Sequence, residues 1–335
     1  MLAVVAVAAA VAAIDATIYL VLRGGATNAS AGAVTQGDRV AVIDPARREV
    51  VDEVRVGRAP TAIVAGYGGV WVLNKGDGTL THLDGRSHRV VRTLELDATA
   101  NDLTLGAGGV WFAGRPRGQA QRPLEIAELE RLDPATDAID RHFDSHTGAS
   151  VLAAAGGAIW TTGYLGSHIR GAARSDAVTG EMRKVDIGIY GDLITAGDGN
   201  VYWIASIGNR VARVSMRTGQ LTASLPLATD ASLAAGIVPP NPTDAVVGAG
   251  SLWISTTGGT LYRIAPNLHR ILARIDVCRD TLGLAYGEGG VWLACGNATV
   301  VRVDPRTNRP DPPIVVGRLP RGIAAGAGAV WVTLD

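Results

Sequence analysis

The sequence predicts an all-β fold: a seven-bladed β-propeller over residues 38–335, its last blade closed by strands from the N- and C-terminal ends, preceded by an N-terminal transmembrane helix over 1–22 and a linker over 23–37. Three observations predict it. A phrase close to GYGGVWVLN (Gly66 to Asn74) appears seven times and takes in every Trp of the chain: Trp71, Trp111, Trp160, Trp203, Trp253, Trp292 and Trp331. The Trp spacings of 40, 49, 43, 50, 39 and 39 residues fall in the range of four-stranded propeller blades. The two ends of the repeat region are incomplete in complementary ways.

In chain order, MLAVVAVAAAVAAIDATIYLVL carries one charge, Asp15, over a length that suits a bilayer crossing. Its apolar side chains offset the cost of that Asp, about 2.5 to 3.5 kcal/mol at a helix centre. A membrane anchor is the expectation; a cleaved export signal ending near NASAGA (Asn28 to Ala33) and a buried helix are the alternatives. Arg23 lies on the C-terminal side, where it opposes an exported domain, so a basic cytoplasmic segment is expected to precede Met1.

Within one unit the strands follow each other. TAIVAG is small and apolar, as an inner strand near a crowded axis must be; GYGG turns; VWVLN is the second strand. GDGT turns again, TLTHLD alternates with period two as a half-buried third strand, and RVVRTLEL forms the outer strand. The glycines of the repeated turn are expected to supply positive φ, and the Trp after them to fill the wedge between blades. Asp44-Pro45, Asp133-Pro134 and Asp304-Pro305 mark the turn after the third strand. Residues 38–56 read as third and outer strands without a first pair, and 319–335 as a first pair without the rest. Joining them closes the ring and removes two exposed edges.

Lys plus Arg equals Asp plus Glu at 31 each, with no long run of one sign, which excludes nucleic acid and acidic surfaces as expected partners. From about residue 38 onward the chain resembles the YVTN-type and virginiamycin B lyase-like propeller repeats of bacteria, most clearly in VAVIDPARREVVDEVRVGRAPTAIVAGYGGVWVLN. The resemblance implies an exported binding protein, the sensor part of a larger membrane protein, or a lyase. For the lyase branch it implies a His opening an inner strand, a Glu just after the Trp strand and a bound magnesium. Ten residues before the Trp stand Thr61, Asn101, Ser150, Thr243, Leu282 and Arg321, with Asp192 in the fourth blade if one insertion is allowed; three after it stand Asn74, Gly114, Gly163, Ser206, Thr256, Cys295 and Leu334. Neither set holds the expected His or Glu, so the base and charge that elimination needs are missing there. The enzyme reading is disfavoured, and no cofactor is expected.

Three other features bear on chemistry. RHFDSH places His142, Asp144 and His146 on one face of an outer strand, where a metal could bind, although a solvated face is the preferred reading and no metal is expected. Cys278 and Cys295 flank the turn GEGG nearly symmetrically; a disulfide, and with it an oxidising compartment, is favoured over two half-buried thiols. Finally, the loops that enter the inner strands and leave the second strands share one face. The long loops 114–125 and 228–245 both map there, with Arg115, Arg117 and Arg122 in the first. Thr61, Asn74, Asn101, Arg115, Asp192, Ser206, Thr243, Asp280 and Arg321 are expected to line this rim and to meet a small molecule, peptide or protein, with an anionic group as the natural complement to the Arg side chains. Asp192, Asp244 and Asp280 temper that charge. A ligand-binding propeller on the extracytoplasmic side of the cell membrane is therefore the expectation, with a structural interaction platform as the further alternative.

Overall fold

A computed structural model describes residues 38–116, 128–144, 151–162, 171–188, 191–205, 209–227 and 241–335. The expected transmembrane segment and linker lie outside the described residues, among which no helix is long and apolar enough to cross a membrane. Every regular element among the described residues is a strand.

Seven sheets, each built from antiparallel neighbours, make the blades. Blade one is β3 (Pro60–Gly66), β4 (Gly69–Asn74), β5 (Thr79–Asp84) and β6 (Val90–Glu95). Blade two is β7 (Ala98–Gly106), β8 (Gly109–Pro116), β9 (Glu128–Asp133) and β10 (Ala138–Asp144), and blade three is β11 (Val151–Ala155), β12 (Ala158–Thr162), β13 (Gly171–Asp176) and β14 (Met182–Asp186). Blade four comprises β15 (Leu193–Gly197), β16 (Asn200–Ala205), β17 (Arg210–Ser215) and β18 (Leu221–Pro226); blade five comprises β19 (Pro242–Gly248), β20 (Ser251–Thr256), β21 (Thr260–Ile264) and β22 (Ile271–Asp276). In blade six, β23 (Thr281–Gly287), β24 (Gly290–Cys295) and β25 (Thr299–Asp304) are followed by an outer edge split into β26 (Arg309–Pro310) and β27 (Ile314–Val315). Pro312 and Pro313 fall in the gap, where a residue without an N–H cannot continue the ladder. Blade seven joins β28 (Pro320–Gly326) and β29 (Ala329–Leu334) to β1 (Arg39–Asp44) and β2 (Glu49–Arg55), with Val42 opposite Trp331. The expected closure by both ends is therefore present. The seven inner strands β3, β7, β11, β15, β19, β23 and β28 each touch the next, and β28 touches β3.

The repeated turn differs in one respect from the expectation. Positive φ belongs to its two central residues, Tyr67 (49°) and Gly68 (80°) in blade one, and among the first glycines of the phrase only Gly106 in blade two has one (147°). This is the pattern of a type I′ turn, whose twist matches that of the flanking strands. The first Gly answers to crowding instead: a Cβ on Gly66 would lie 2.8 Å from Leu105 of the next blade.

The wedge also departs from the sequence reading. Trp71, Trp111, Trp160, Trp253, Trp292 and Trp331 all lie two residues after the start of the second strand, are fully buried and pack into the apolar layer between their blade and the following one. An indole that buries roughly 150–250 Å² contributes about 4–6 kcal/mol at ~25 cal/mol per Å². Blade four breaks the series. There Tyr202 occupies the wedge and packs with Leu252 and Ile254 of blade five, while Trp203, one residue later, faces blade three. Its indole stands where a side chain on Gly191 would have to go: a Cβ there would be 1.5 Å from Nε1. The seven indoles are thus not equivalent, and Asp192 stands ten residues before the wedge residue with no insertion.

Directly across the sheet from six of the wedge residues stands a cationic or imidazole side chain: His82, Arg131, Arg174, Arg213, Arg263 and Arg302. Arg263 lies over the Trp253 ring with its guanidinium carbon 5.0 Å from the centroid, and donates to Pro305 O at 2.6 Å and Asn308 Oδ1 at 2.9 Å in the next blade. A cation over an aromatic face adds about 0.5–2 kcal/mol. Burial of the ring is the larger contribution, and the cation fixes how neighbouring blades meet.

Candidate functional site

The face that carries the loops into the inner strands is shaped by a repeated irregularity. Pairing within the inner hairpin skips one residue in blade after blade: Pro60 opposes Asn74 but Ala62 opposes Leu73, which leaves Thr61 unpaired in the ladder. The same skip isolates Asn101, Thr243 and Leu282, and an extra residue is accommodated at Arg321 and Gly322. In blade four the Asp192 N–H donates to Ile204 O, the residue that already opposes Leu193. A bulge of this kind re-aims one side chain while the strand continues. Five of the residues expected at the rim, Thr61, Asn101, Asp192, Thr243 and Arg321, are therefore bulge residues, an origin that spacing alone did not disclose.

Their surroundings differ. Asn101 and Asp192 are exposed. Thr243 Oγ1 is 2.9 Å from Ser255 Oγ, whereas the buried Thr61 Oγ1 has no hydrogen-bond partner among the described residues. Arg321 is held by Asp335, with 2.6 Å from both Nε and the terminal nitrogen to Oδ2, so its charge is already met. Asn74 is fully buried and donates to Thr79 Oγ1 at 3.0 Å and Thr81 Oγ1 at 2.8 Å; it is a packing residue and not part of an open rim. The Arg115 side chain and all of Ser206, Arg117 and Arg122 lie outside the described residues. With Tyr202 as the wedge residue, Ala205 and not Ser206 is the fourth-blade counterpart of Asn74.

Asp244 also changes role. Both Asp102 and Asp244 follow a bulge residue and reach sideways to the next blade: Asp102 Oδ2 accepts from Leu152 N at 2.9 Å, and Asp244 Oδ2 from Leu284 N at 2.7 Å. They satisfy inner-strand N–H groups that no fifth strand covers. Burial pushes the Asp244 carboxyl up to about 7, against the two backbone N–H bonds that favour its charged form, and Asp102 adds a smaller upward push. Asp244 therefore stitches two blades instead of tempering the rim.

Cys278 and Cys295 are bonded, S–S 1.98 Å with Cα atoms 5.9 Å apart, as expected from their placement about the GEGG turn. The corresponding pair in blade one is Gly57 and Asn74, where the Asn side chain occupies the room: a Cβ on Gly57 would lie 2.8 Å from it. Beside the disulfide, the loops entering blades six, seven and one repeat an arginine thirteen residues before the wedge Trp: Arg279, Arg318 and Arg58. Arg58 makes 2.6 Å contacts with Asp77 through Nε and its own backbone N–H, and the carboxylate raises the guanidinium pKa. Arg279 and Arg318 have no acid partner among the described residues, and Arg279 is exposed beside the exposed Asp280. The sequence reading missed this series. Its signal was the recurring Gly-Arg or Cys-Arg of VGRAP, VCRDT and VGRLP.

His142 lies on the outer strand of blade two. The Asp144 side chain and His146 lie outside the described residues, and Glu128 and Glu130 of the adjacent strand stand next to His142.

No protein-family model and no curated protein matches the chain. The YVTN-type resemblance thus stands on the repeat phrase. Among solved structures, the chain is similar to the β-propeller domain of Cps50 (Swd1) from Myceliophteria thermophila, with a TM-score of 0.63 at 10% identity over 88% of this chain and 99% of that one. At that identity the likeness shows the fold alone, and the fold is that of an all-β, seven-bladed propeller.

Proposed function

We propose that the chain is an exported, membrane-tethered β-propeller of the YVTN type that binds a carboxylate-bearing small molecule or peptide on its loop face, over blades six, seven and one. The observation that carries this reading is the arginine repeated at one position in three neighbouring blades, two of the three without an acid partner among the described residues. An arginine fork recognises a carboxylate with two parallel N–H bonds, which a solvated surface charge does not require. The Cys278–Cys295 bond fits an oxidising compartment, and the apolar stretch of residues 1–22 supplies the tether in this reading. A lyase reading finds no support at the two positions that its branch uses, now read with Asp192 and Ala205 in blade four.

Binding is tested with a dicarboxylate panel and a panel of short acidic peptides against the parent chain and Arg279→Ala/Arg318→Ala. Saturable binding that the double variant loses by about tenfold or more supports the site; equal binding by both proteins, or none, overturns it. The tether is tested separately by fractionation: the chain should sediment with membranes and be digested by protease added to intact spheroplasts, and a soluble or protected chain would remove that part of the reading.

A further inference from the structure

On the outer half of blade two, Glu128 and Glu130 leave β9 on one face, being two residues apart, and His142 of β10 is the direct antiparallel partner of Glu130. His142 Nε2 is 3.4 Å from Glu128 Oε1, and Nδ1 is 3.7 Å from Glu130 Oε1. One ligand atom from each side chain lies within 4.8 Å of the others.

Glu130 makes this more than a surface cluster. Its side chain is only 6% exposed, and it accepts no hydrogen bond from any described residue; 3.7 Å to an imidazole nitrogen is too long for one. Burial pushes its carboxyl upward, and Glu128 and Asp97 push the same way while His142 opposes them. The next residue, Arg131, gives no relief, because its guanidinium is turned to Gly108 O and Asp140. A buried carboxylate beside two further acids has one half-exposed imidazole to offset all three.

We propose that Glu128, Glu130 and His142 form a binding site for a divalent transition-metal ion. Two carboxylate oxygens and one imidazole nitrogen suit zinc or manganese, whereas calcium and magnesium prefer oxygen alone. The three side chains come from paired strands of a rigid sheet, so the site is preorganised apart from His142. That ring is 57% exposed, so a turn of its side chain would meet solvent and bring the donors to the roughly 2.0–2.2 Å that such ions require. Three protein ligands leave positions open to water. The sequence pattern favoured a solvated face for His142, Asp144 and His146; the side chains that join His142 here come from the strand beside it.

The test titrates Zn²⁺ against a chromophoric chelator into the detergent-solubilised full chain after metal removal, with Co²⁺ absorption to report nitrogen and oxygen donors. One equivalent is expected to bind, and Glu130→Gln and His142→Ala should each weaken it by at least about tenfold. His269→Ala, on blade five, should leave it unchanged. Glu130→Gln keeps the side-chain shape, and its circular dichroism without metal checks that the fold is intact. Absence of saturable binding, binding that survives both site variants, an equal loss in His269→Ala, or full displacement by equimolar Mg²⁺ would each overturn the proposal.

Discussion

His82 Nδ1 lies 2.8 Å from Asp137 Oδ2 across the seam between blades one and two, while the same imidazole stacks on Trp71 with ring centroids 4.7 Å apart. Asp137 sits at the left-handed corner of the turn between β9 and β10, with φ 54°. Asn308 holds the equivalent corner in blade six and receives Arg263 in the same way. Arg213, opposite Tyr202, likewise donates to Pro266 O of blade five at 3.4 Å, so the side chain opposite a wedge residue reaches the following blade's turn at three separate seams.

Removing one member strands the other. Asp137 Oδ1 already lacks a partner among the described residues, so His82→Leu leaves a buried carboxylate with neither oxygen bonded and should cost about 1–3 kcal/mol. Urea unfolding of His82→Leu, Asp137→Asn and the double variant measures the coupling. Additivity within about 0.5 kcal/mol would show that the pair does not act as a unit.

Stability should fall as pH rises through neutrality. The Asp244 carboxyl moves from its ordinary 3.8 to about 7 on folding, so its contribution is fully present below 3.8 and is lost as pH climbs through 7. Asp44, Asp84, Asp176 and Asp304 act oppositely: bonds from turn N–H groups, and for Asp84 first the Ser87 hydroxyl, hold them below the usual range, and their contribution disappears as pH drops through those lowered values. Asp244→Asn should flatten the limb between pH 4 and 7 and leave the acid limb alone, as read from urea midpoints across pH. An unchanged neutral limb would assign the loss to another group.

The disulfide closes a short loop, its cysteines standing 17 positions apart in sequence. Cross-linking a loop of that size is worth about 3 kcal/mol through the unfolded chain. Cys278→Ala/Cys295→Ala should lower the urea midpoint by the corresponding amount, and reductant should shift the parent protein and not the variant. Equal response of both to reductant would contradict the assignment.

Gly191→Ala should be severe for a substitution of one methyl group, because the new carbon falls on the Trp203 indole. Overpacking of this kind typically costs about 1–3 kcal/mol. Trp203→Val, which restores the side-chain type of Val72 at the matching place in blade one, should relieve the alanine's cost in the double variant. Thermal denaturation of the four proteins checks this; a double variant no better than Gly191→Ala would mean that the strain lies elsewhere.

Much of this architecture was legible in the residues because it rests on local rules. Type I′ turns need their Gly, third strands alternate, and two half-blades at opposite ends of a repeat have one economical solution; β1 beside β29 follows. Cys278 and Cys295 were legible for the same reason, since antiparallel pairing about a turn places them opposite each other. The fourth blade is not legible from the indoles, because its Trp stands one residue beyond the wedge position that the turn defines. Measured from Gly199, Tyr202 is the wedge residue. The arginines facing the wedge were visible as YRIA, VRVD and LERLD but meant nothing until strand register placed them opposite Trp. Asn74 and Asp244 could not be read as interior groups, because their hydrogen-bond partners come from elsewhere in the fold: Thr79 and Thr81 across a hairpin for one, Leu284 in the next blade for the other. Glu128 and Glu130 escaped notice because a pattern search along one strand cannot see its neighbour.

The sharing of blade seven between β1 and β29 has a temporal consequence. Residues 39–44 are among the first of the ring to be synthesised, yet their central partner is nearly the last, so the annulus cannot lock until almost the whole chain is available. Before that moment two sheet edges stay open, and pairing across such a sequence distance is slow. A chain delivered unfolded through a translocation channel would meet this requirement at its destination, and one stalled before residue 329 would remain an open, sticky arc.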